Sequence, residues 1–290
     1  MFNNTLLGVC PSPTVASFSG RGPSTVTPGL LKPDILAPGF NILAAWPPPL
    51  HKTAGARPFN IISGKSMAMT HVSGAVTLVK SAHADRSVAA IRSAILTTSD
   101  AVDKNGGPIM DERRGRAGAH ATGAGYVNPI RAADPGLVYD LSVPEYAGYI
   151  CSLLGDRGLA AIVRNSSLSC SSLPRMPVAQ LNYPTITVPL QPAPFTVNRM
   201  AANVGPSEST YTVKVDVPRL LTVHVSPGTL VFTRNGEKKD VQRNGERPRR
   251  RGRRRELELG VREACCEESD RRHCRSRQAS ADFVKRVCAE

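Results

Sequence analysis

The sequence predicts an α/β region followed by a β-sandwich and a disordered basic tail. Short apolar runs bounded by proline and glycine, and then two segments of helical period, occupy the first part of the chain. From residue 181 the hydrophobic period changes to two, which is typical of half-buried strands. Beyond residue 240 the periodicity stops and arginine dominates. We therefore expect four units: a partial α/β domain at 1–135, a connector at 136–180, a partial sandwich at 181–240 and a disordered tail at 241–290.

The α/β region contains two expected strands and two expected helices. The runs 35–38 and 42–45 are short and apolar, as buried strands are. A helix is expected from Ser66 to about Ala82, with apolar residues at helical spacing at Val72, Ala75, Val76 and Val79. Ser87 is a suitable N-cap for a second helix, whose inner face would comprise Ile91, Ala94, Ile95 and Thr98.

The second half of the chain is expected to hold one short helix and several strands. Pro144 opens a short helical stretch in the connector, and residues 166–177 indicate a polar loop. The segments 211–217 and 221–225 alternate apolar and polar residues, so we expect strands there. A seven-stranded sandwich needs about 100 residues, and only about 60 lie between 181 and the arginine-rich block. We therefore expect the last strand or two to be missing and one sheet edge to be unpaired.

The most informative segment is Ser63-Gly64-Lys65-Ser66-Met67-Ala68-Met69-Thr70-His71-Val72-Ser73-Gly74, which is typical of a nucleophilic serine at the start of a helix. Gly64 permits a tight turn, and the small or unbranched residues that follow Ser66 let the helix lie against a sheet. A serine in this place has its hydroxyl at the positive end of the helix dipole, where its own N–H can face a developing oxyanion. Ser66 is therefore the candidate catalytic residue.

This segment resembles the G-T-S-M-A-x-P-H serine motif of subtilisin-like serine proteases, and the segments around it resemble the plant subtilases. The resemblance covers roughly residues 14–240, in the order found in the family. It implies the C-terminal part of a subtilisin-like parallel-sheet domain, followed by a fibronectin-III-like β-sandwich, and serine endopeptidase activity on polypeptides. The matching segments are Phe18–Ser24, Leu31–Gly39, Ala89–Ile95, Gly123–Pro129, Asp134–Asp140, Leu181–Pro184 and Asn203–Gly205.

The resemblance also implies a catalytic triad in the order Asp, His, Ser. In the family the first two residues lie in D-[ST]-G and H-G-[TS] segments far upstream of the serine, as does the asparagine that completes the oxyanion hole. None of these has a counterpart among the 65 residues before Ser66. His51 is followed by lysine rather than glycine, and His120 falls in the segment that aligns with the family's Gly-Ala-Gly turn. We therefore expect a C-terminal fragment that carries the nucleophile but neither base nor acid, and is inactive alone. The alternative is a non-catalytic protein that binds a partner through its sandwich or its cationic tail.

The serine motif and the second helix differ from the family at a few positions. Lys65 stands where the family has threonine, and Thr70 stands where it has proline. A lysine beside a serine can form a Ser-Lys dyad if its amine is desolvated, but adjacent residues at a turn usually project apart, which favours a tolerated substitution. His71 corresponds to a structural helix residue of the family. Arg86 and Val88 replace an aromatic residue and a proline, and we expect both changes to weaken the fold.

The formal net charge of +14 is unevenly placed, and residues 247–255 form a block of like charge. Clustered arginines bind phosphates of any sequence through charge, so nonspecific polyanion binding is one interpretation of the tail. A specific function and a merely solvated tail are the alternatives. The adjacent cysteines at 265 and 266 lack the paired spacing of a zinc site. The candidate polyanion contacts are Arg247, Arg249, Arg250, Arg251, Arg253, Arg254 and Arg255.

We expect neither a cofactor nor a metal ion. Seven scattered cysteines do not make a disulfide framework, although one bridge in the region of Cys151 and Cys170 is conceivable and its pairing stays open. The family is typically secreted, but residues 1–10 lack the basic start and apolar run of a signal peptide, so the localisation stays open. No stretch approaches the roughly 20 apolar residues of a membrane span, so no membrane partner is expected.

Overall fold

The computed structural model of the chain describes residues 11–47, 58–163, 168–187, 194–215 and 222–246, together with three short strand backbones near the C-terminus. In its first part, an antiparallel hairpin precedes the helix that carries Ser66. The elements of this part are β1 (Ile42–Ala45), β2 (Phe59–Ile62), α1 (Lys65–Ala82), α2 (Val88–Thr97), α3 (Ala119–Thr122) and α4 (Pro129–Ala133).

Both predicted helices are confirmed, and they pack together. Ala75 and Val79 of α1 meet Ile91 and Ile95 of α2 in one buried cluster, which Val127 and Ala132 complete. Burial of this apolar stripe, rather than intrinsic helix propensity, stabilises the two helices. The outer face of α1 stays exposed, as at Leu78, which is 66% exposed.

The start of α2 is capped as its sequence predicts. The side chain of Ser87 accepts a hydrogen bond of 2.9 Å from the backbone N–H of Ala90. Arg86, which stands where the family has an aromatic residue, is only 8% exposed. Its guanidinium donates to the carbonyl of Ala133 at 3.2 Å, and burial lowers the pKa of this group. Val88 at the first helical position is exposed, as a solvent-facing helix start allows.

The two expected strands of the first part are less buried than predicted. Leu36 forms a single parallel bridge with Tyr126, and the segment 35–38 is half-buried rather than buried. β1 is a strand, but Leu43 on it is 68% exposed. Among the described residues, parallel pairing consists of this bridge and a second one between Thr14 and Met110. The strand expected at 42–45 is therefore confirmed, whereas the run 35–38 forms only an isolated bridge, and neither is covered as completely as a buried strand.

Gly123 and Gly125 lie where neighbouring backbone segments approach each other closely. Gly123 has φ of 55° and Gly125 has φ of 123°, values that favour glycine. A Cβ on Gly123 would lie 2.3 Å from the carbonyl oxygen of Pro33, and one on Gly125 would lie 2.2 Å from that of Asp100. Only glycine at both positions lets the three backbone segments approach each other without a shift.

The connector contains a longer helix than the short stretch predicted. α5 spans Val143–Ile162, with non-helical φ and ψ at Gly155. Its start is capped by Glu145, whose side chain accepts from the backbone N–H of Ser142 at 2.7 Å. A disulfide joins Cys151 on this helix to Cys170, in a short 3-10 turn (Cys170–Ser172). The pairing that the sequence left open is therefore Cys151 with Cys170.

The second half of the described chain is a sandwich of two antiparallel sheets. One sheet has four strands and the other has three. Residues from both sheets form one core cluster, in which Tyr211 meets Phe232 edge to face at 5.7 Å between ring centroids. The strands of this half are β3 (Leu137–Tyr139), β4 (Phe195–Asn203), β5 (Ser209–Val213), β6 (Thr222–Ser226), β7 (Thr229–Phe232), β8 (Lys238–Glu246), β9 (Glu258–Leu259), β10 (Cys265–Glu267) and β11 (Val287–Cys288). The order is β3-β4-β8-β6 in the four-stranded sheet and β10-β5-β7 in the three-stranded sheet. β9 pairs with β11.

The sandwich reaches seven strands because two of them come from outside the predicted range 181–240. β3 belongs to the expected connector and β10 to the expected tail, and β10 pairs with β5. The two sheets therefore include strands that lie outside the range that the sequence predicts for the sandwich. β3 has three buried residues in a row, a run too short for a period-two pattern to show in the sequence.

β8 also continues past the predicted boundary at 240. Val241 and Arg243 on this strand are buried, and the intervening Gln242 is exposed. Arg243 donates a hydrogen bond of 2.9 Å to the hydroxyl of Tyr139. An inward-facing arginine hides the alternation from the sequence, which explains the misplaced boundary. The arginines from Arg247 to Arg255 lie outside the described residues.

Candidate active site

Ser66 is an exposed residue in the first turn of α1. The residue before this helix is Gly64, whose carbonyl accepts from the backbone N–H groups of Met67 at 3.1 Å and Ala68 at 3.3 Å. The first N–H groups of an α-helix have no partner within the helix, and the helix dipole is positive at this end. The hydroxyl of Ser66 therefore stands where backbone donors can stabilise negative charge.

The turn before Ser66 is fixed by the segment that leads into β1. The backbone N–H of Gly64 donates to the carbonyl of Gly39 at 2.8 Å, and that of Asn41 donates to Ser63 Oγ at 2.8 Å. Asn41 has φ of 52°, a left-handed conformation that asparagine tolerates better than most residues. A Cβ on Gly39 would lie 3.0 Å from the carbonyl oxygen of Gly64 and 3.1 Å from Ala68 Cβ. Sequence reasoning assigned no contact to Asn41 or Ser63, and the Pro38-Gly39 pair before the apolar run is a signal of a tight approach.

Lys65, Thr70 and His71, three residues of the serine motif, do not act as a base for Ser66. Lys65 extends over Gly20, since a Cβ built there would lie 3.3 Å from Lys65 Cδ. Thr70 Oγ1 donates to the carbonyl of Met67 at 2.8 Å, and His71 Nδ1 donates to the same carbonyl at 2.8 Å. Within the described part of the chain, no hydrogen bond joins the Ser66 hydroxyl to the Lys65 amine. These contacts favour a structural role for His71 and speak against a Ser-Lys dyad.

His120 lies against the glycine-rich segment near the chain start. Its carbonyl accepts from the backbone N–H of Gly22 at 2.9 Å, and a Cβ on Gly22 would lie 2.7 Å from its Nδ1. The histidine therefore packs closely on backbone that has no room for a side chain. His51 lies outside the described residues.

A second polar cluster surrounds Asp34, at the start of the segment that supports the Ser66 turn. Lys32 Nζ donates to Asp34 Oδ2 at 2.5 Å, and Arg92 Nη2 donates to Oδ1 at 3.0 Å. The hydroxyl of Tyr183 also donates to Oδ1, and the Arg92 guanidinium lies 4.6 Å from the centroid of the Tyr183 ring. Asp34 thus receives donors from three separate segments of the chain.

The charges of this cluster shift the pKa values of two members. Burial alone would raise the pKa of Asp34, but the hydrogen bonds from Lys32 and Tyr183 and the positive charges of Lys32 and Arg92 lower it below its ordinary value. Burial raises the pKa of Tyr183 far above its ordinary value, and the charge of Asp34 adds to this. Tyr183 is therefore a neutral donor to an ionised carboxylate, which suits a structural pair better than a proton-transfer site.

No metal centre is found in the described part of the chain. There, no group of three or more His, Cys, Asp or Glu side chains is placed to hold an ion. A search of the same residues for a helix both long and apolar enough to cross a membrane found none.

The comparisons with known proteins agree with the two halves of the structure. The model of the subtilase family matches residues 3–120, and the model of a fibronectin type-III domain matches residues 180–254. Subtilisin-like protease SBT1.5 of Arabidopsis thaliana is 44% identical over 250 residues, which are 82% of this chain and 32% of that protein. The chain belongs to the subtilase family.

Further relatives of this subtilase chain are also plant proteins. Subtilisin-like protease SBT1.6 of Arabidopsis thaliana is 43% identical over 244 residues, 80% of this chain and 32% of its own length. Subtilisin-like protease Glyma18g48580 of Glycine max is 42% identical over 248 residues, 81% of this chain and 30% of its own length. The resemblance to plant subtilases and the combination of a subtilase domain with a fibronectin-III-like domain are therefore confirmed. The subtilase chain spans less than a third of the length of these relatives.

Proposed function

We propose that this chain supplies the nucleophile of a subtilisin-type serine endopeptidase and is inactive alone. The observation that carries the proposal is the exposed hydroxyl of Ser66 in the first turn of α1, within the family's serine motif. In this reaction Ser66 Oγ attacks the carbonyl carbon of a peptide bond while a base takes its proton. The carbonyl oxygen becomes an oxyanion, which backbone N–H groups at the helix start stabilise.

The expected inactivity follows from the missing base. A serine hydroxyl is a weak nucleophile at neutral pH unless a neighbouring group accepts its proton. Neither aspartate nor histidine motif of the family occurs in the 65 residues before Ser66. Without these residues, catalysis retains at most about 10³- to 10⁴-fold acceleration over water, from the oxyanion hole and binding.

The exposed apolar residues near Ser66 support completion by a further part of a subtilase. Phe59 and Ile61 on β2, and Met69 on α1, are large apolar side chains that face solvent. Phe18 and Phe40 stack at 6.4 Å between centroids and are exposed as well. Large exposed apolar side chains that lie together commonly mark a surface that another part of a protein covers. We propose that the N-terminal half of a subtilase domain, with its aspartate, histidine and oxyanion asparagine, covers this surface.

A fluorophosphonate probe tests the inactivity, because the probe reacts only with an activated serine. We expect no appreciable labelling of the purified chain, and no hydrolysis of unfolded protein substrates. Ser73→Ala is the matched control for Ser66→Ala, since Ser73 is an exposed serine on the same helix. Labelling that is lost in Ser66→Ala but retained in Ser73→Ala, together with hydrolysis, would show that the chain is active alone.

A graft tests the role of Ser66 in the completed enzyme. The N-terminal half of a plant subtilase domain is joined in front of residues 14–290 of this chain, with and without Lys65→Thr and Thr70→Pro. We expect weak or no activity from the unrepaired graft and at least about tenfold more from the repaired one, because small misplacements of a nucleophile cost rate steeply. Ser66→Ala should abolish both activities. Equal activity of the two grafts would show that the two substitutions are neutral, and activity that survives Ser66→Ala would refute the nucleophile.

A non-catalytic binding function is the alternative proposal, and the charge of the tail favours it. Residues 247–255 contain seven arginines in nine positions. Such a density of positive charge binds phosphates without sequence preference. This function would depend on residues 181–290 and not on Ser66, so a Ser66→Ala chain would retain it.

A further inference from the structure

Leu181–Pro184, the segment that follows the connector, joins the fibronectin-III-like domain to the subtilase domain. On one side, hydrogen bonds from side chains of this segment and of β4 attach the segment to the strand. Asn182 Nδ2 donates to the carbonyl of Met200 at 2.9 Å, and Asn182 Oδ1 accepts from the backbone N–H of Met200 at 2.9 Å. Arg199 Nε donates to the carbonyl of Tyr183 at 3.0 Å. The backbone of Tyr183 is therefore fixed to the sandwich.

On its other side the same segment contacts the subtilase domain, and the polar contact there is made by the side chain of Tyr183. Tyr183 is 4% exposed, and its hydroxyl donates to Asp34 Oδ1. Arg92 of α2 covers the ring and donates to the same carboxylate. The hydroxyl is the polar end of a side chain that otherwise packs with Ala89, Leu96, Ala124, Leu141 and Leu181.

Asp34 begins the segment that leads to the turn of Ser66. The carbonyl of Asp34 accepts from Ala124 at 2.8 Å, and Leu36 donates to the carbonyl of Gly125 at 2.7 Å. At the other end of the segment, the carbonyl of Gly39 accepts from Gly64, two residues before Ser66, at 2.8 Å. Hydrogen bonds therefore join β4 to Tyr183 and Tyr183 to Asp34, the backbone of residues 34–39 continues the connection, and the bond from Gly64 to Gly39 completes it at the start of α1.

We propose that Tyr183 is a positioning residue through which the fibronectin-III-like domain fixes the turn that carries Ser66. Its hydroxyl fixes the carboxylate of Asp34, and Asp34 sets the path of residues 34–39. This inference rests on the proposed function, because it states what positions the proposed nucleophile. Its test measures the turn directly and needs no catalysis, so it can fail while Ser66 is still the nucleophile, and the reverse is also possible.

The test is amide hydrogen exchange of the full chain in Tyr183→Phe, which removes one hydroxyl and keeps the ring. The matched control is Tyr149→Phe. Tyr149 packs against the same cluster, and its hydroxyl has no hydrogen-bond partner among the described residues. In Tyr183→Phe we expect the amides of Leu36 and Gly64 to exchange about tenfold faster, because the lost bond is one to a charged group. Amides of β4 and β8 should exchange as in the unchanged chain, and Tyr149→Phe should alter neither set.

Three results would overturn the inference. The first is an unchanged rate for Gly64 in Tyr183→Phe, and the second is an equal acceleration in β4 and β8, which would indicate a general loss of stability. The third is an equal effect of Tyr149→Phe. If Tyr183→Phe does not fold, Asp34→Asn decides, because it keeps an acceptor oxygen and removes the charge. It should accelerate Leu36 and Gly64 selectively, and unchanged rates at both would reject the role of this pair.

Discussion

Replacing Asp34 by alanine should destabilise the chain by about 2 kcal/mol at neutral pH. The side chains of Lys32 and Arg92 are 37% and 40% exposed, so they return largely to water and their ion pairs contribute little. Tyr183 is buried, and a hydrogen bond to a charged group is worth about 1.5–3 kcal/mol when its partner is left unsatisfied. The loss of this one bond therefore sets the magnitude.

The sign of the pH dependence follows from the lowered pKa of Asp34. Because the folded-state pKa lies below the ordinary value of 3.8, the ionised carboxylate stabilises the folded chain, and this contribution is fully present above that value. It is lost as the pH falls through the folded-state pKa. The difference between the unchanged chain and Asp34→Ala should therefore be full at pH 7 and shrink below about pH 4.

Urea unfolding followed by far-UV circular dichroism measures this difference at both pH values. Asp240→Ala is the matched control, since Asp240 is an exposed aspartate on β8. Its effect should stay within about 0.5 kcal/mol. If Asp34→Ala destabilises no more than Asp240→Ala at pH 7, or by the same amount at pH 7 and at pH 3, the assignment of the Tyr183 bond to stability is incorrect.

Three further predictions concern other parts of the chain. Val79→Ala should lower the free energy of unfolding in a urea titration by about 2–3 kcal/mol, because Val79 is 1% exposed. Leu78→Ala on the outer face of α1 should lower it by about 0.5 kcal/mol or less. Equal losses in the two variants would contradict the packing of α1. Cys151→Ser should lower the free energy of unfolding by about 3 kcal/mol, since the bridge to Cys170 spans a sequence separation of 19. A reductant should reproduce this loss in the unchanged chain and add nothing in the variant, and an unshifted transition in the variant would refute it. In a filter-binding assay, the affinity of residues 247–255 for duplex DNA should fall about a hundredfold between about 50 and 200 mM salt if half of the arginines engage phosphates. The affinity should not depend on the DNA sequence. A strong preference for one sequence would show that charge is not the sole cause of binding.

The sequence predicted α1 and α2 well because the apolar stripe of each helix repeats over several turns and packs against the apolar stripe of the other. The stripe of Ala75 and Val79 on α1 and that of Ile91 and Ile95 on α2 repeat over several turns, so the burial of each follows from spacing alone. The N-cap of α2 was equally easy to predict, because a serine that precedes an apolar helical stripe commonly caps the helix. The position of Ser66 at the start of α1 followed from the same reasoning.

The sandwich was harder to predict because its pairing depends on distant residues. Arg243 faces inward on β8, where its partner is the hydroxyl of Tyr139, more than a hundred positions away. Gly245 on the same strand leaves room for the ring of Phe195, from which a Cβ would lie only 2.5 Å away. Neither a buried arginine nor a glycine resembles a strand residue in isolation, so the sequence indicated the end of the domain several residues too early.

The motifs that carried the family resemblance are brought together by contacts with one another. Asp34 lies in the motif Leu31–Gly39, and its carboxylate accepts hydrogen bonds from Arg92 and Tyr183 of two other motifs. Its carbonyl accepts from the backbone N–H of Ala124 in a fourth. The Asn203 motif meets that of Gly136 in the same way, through a hydrogen bond of 2.8 Å from Val204. Six separate segments of sequence thus correspond to two packing junctions, and the residues at them are explained by that packing without reference to a substrate. A substitution in these motifs should therefore act on the geometry of the subtilase domain first, and on Ser66 only through the segment that ends at Gly39.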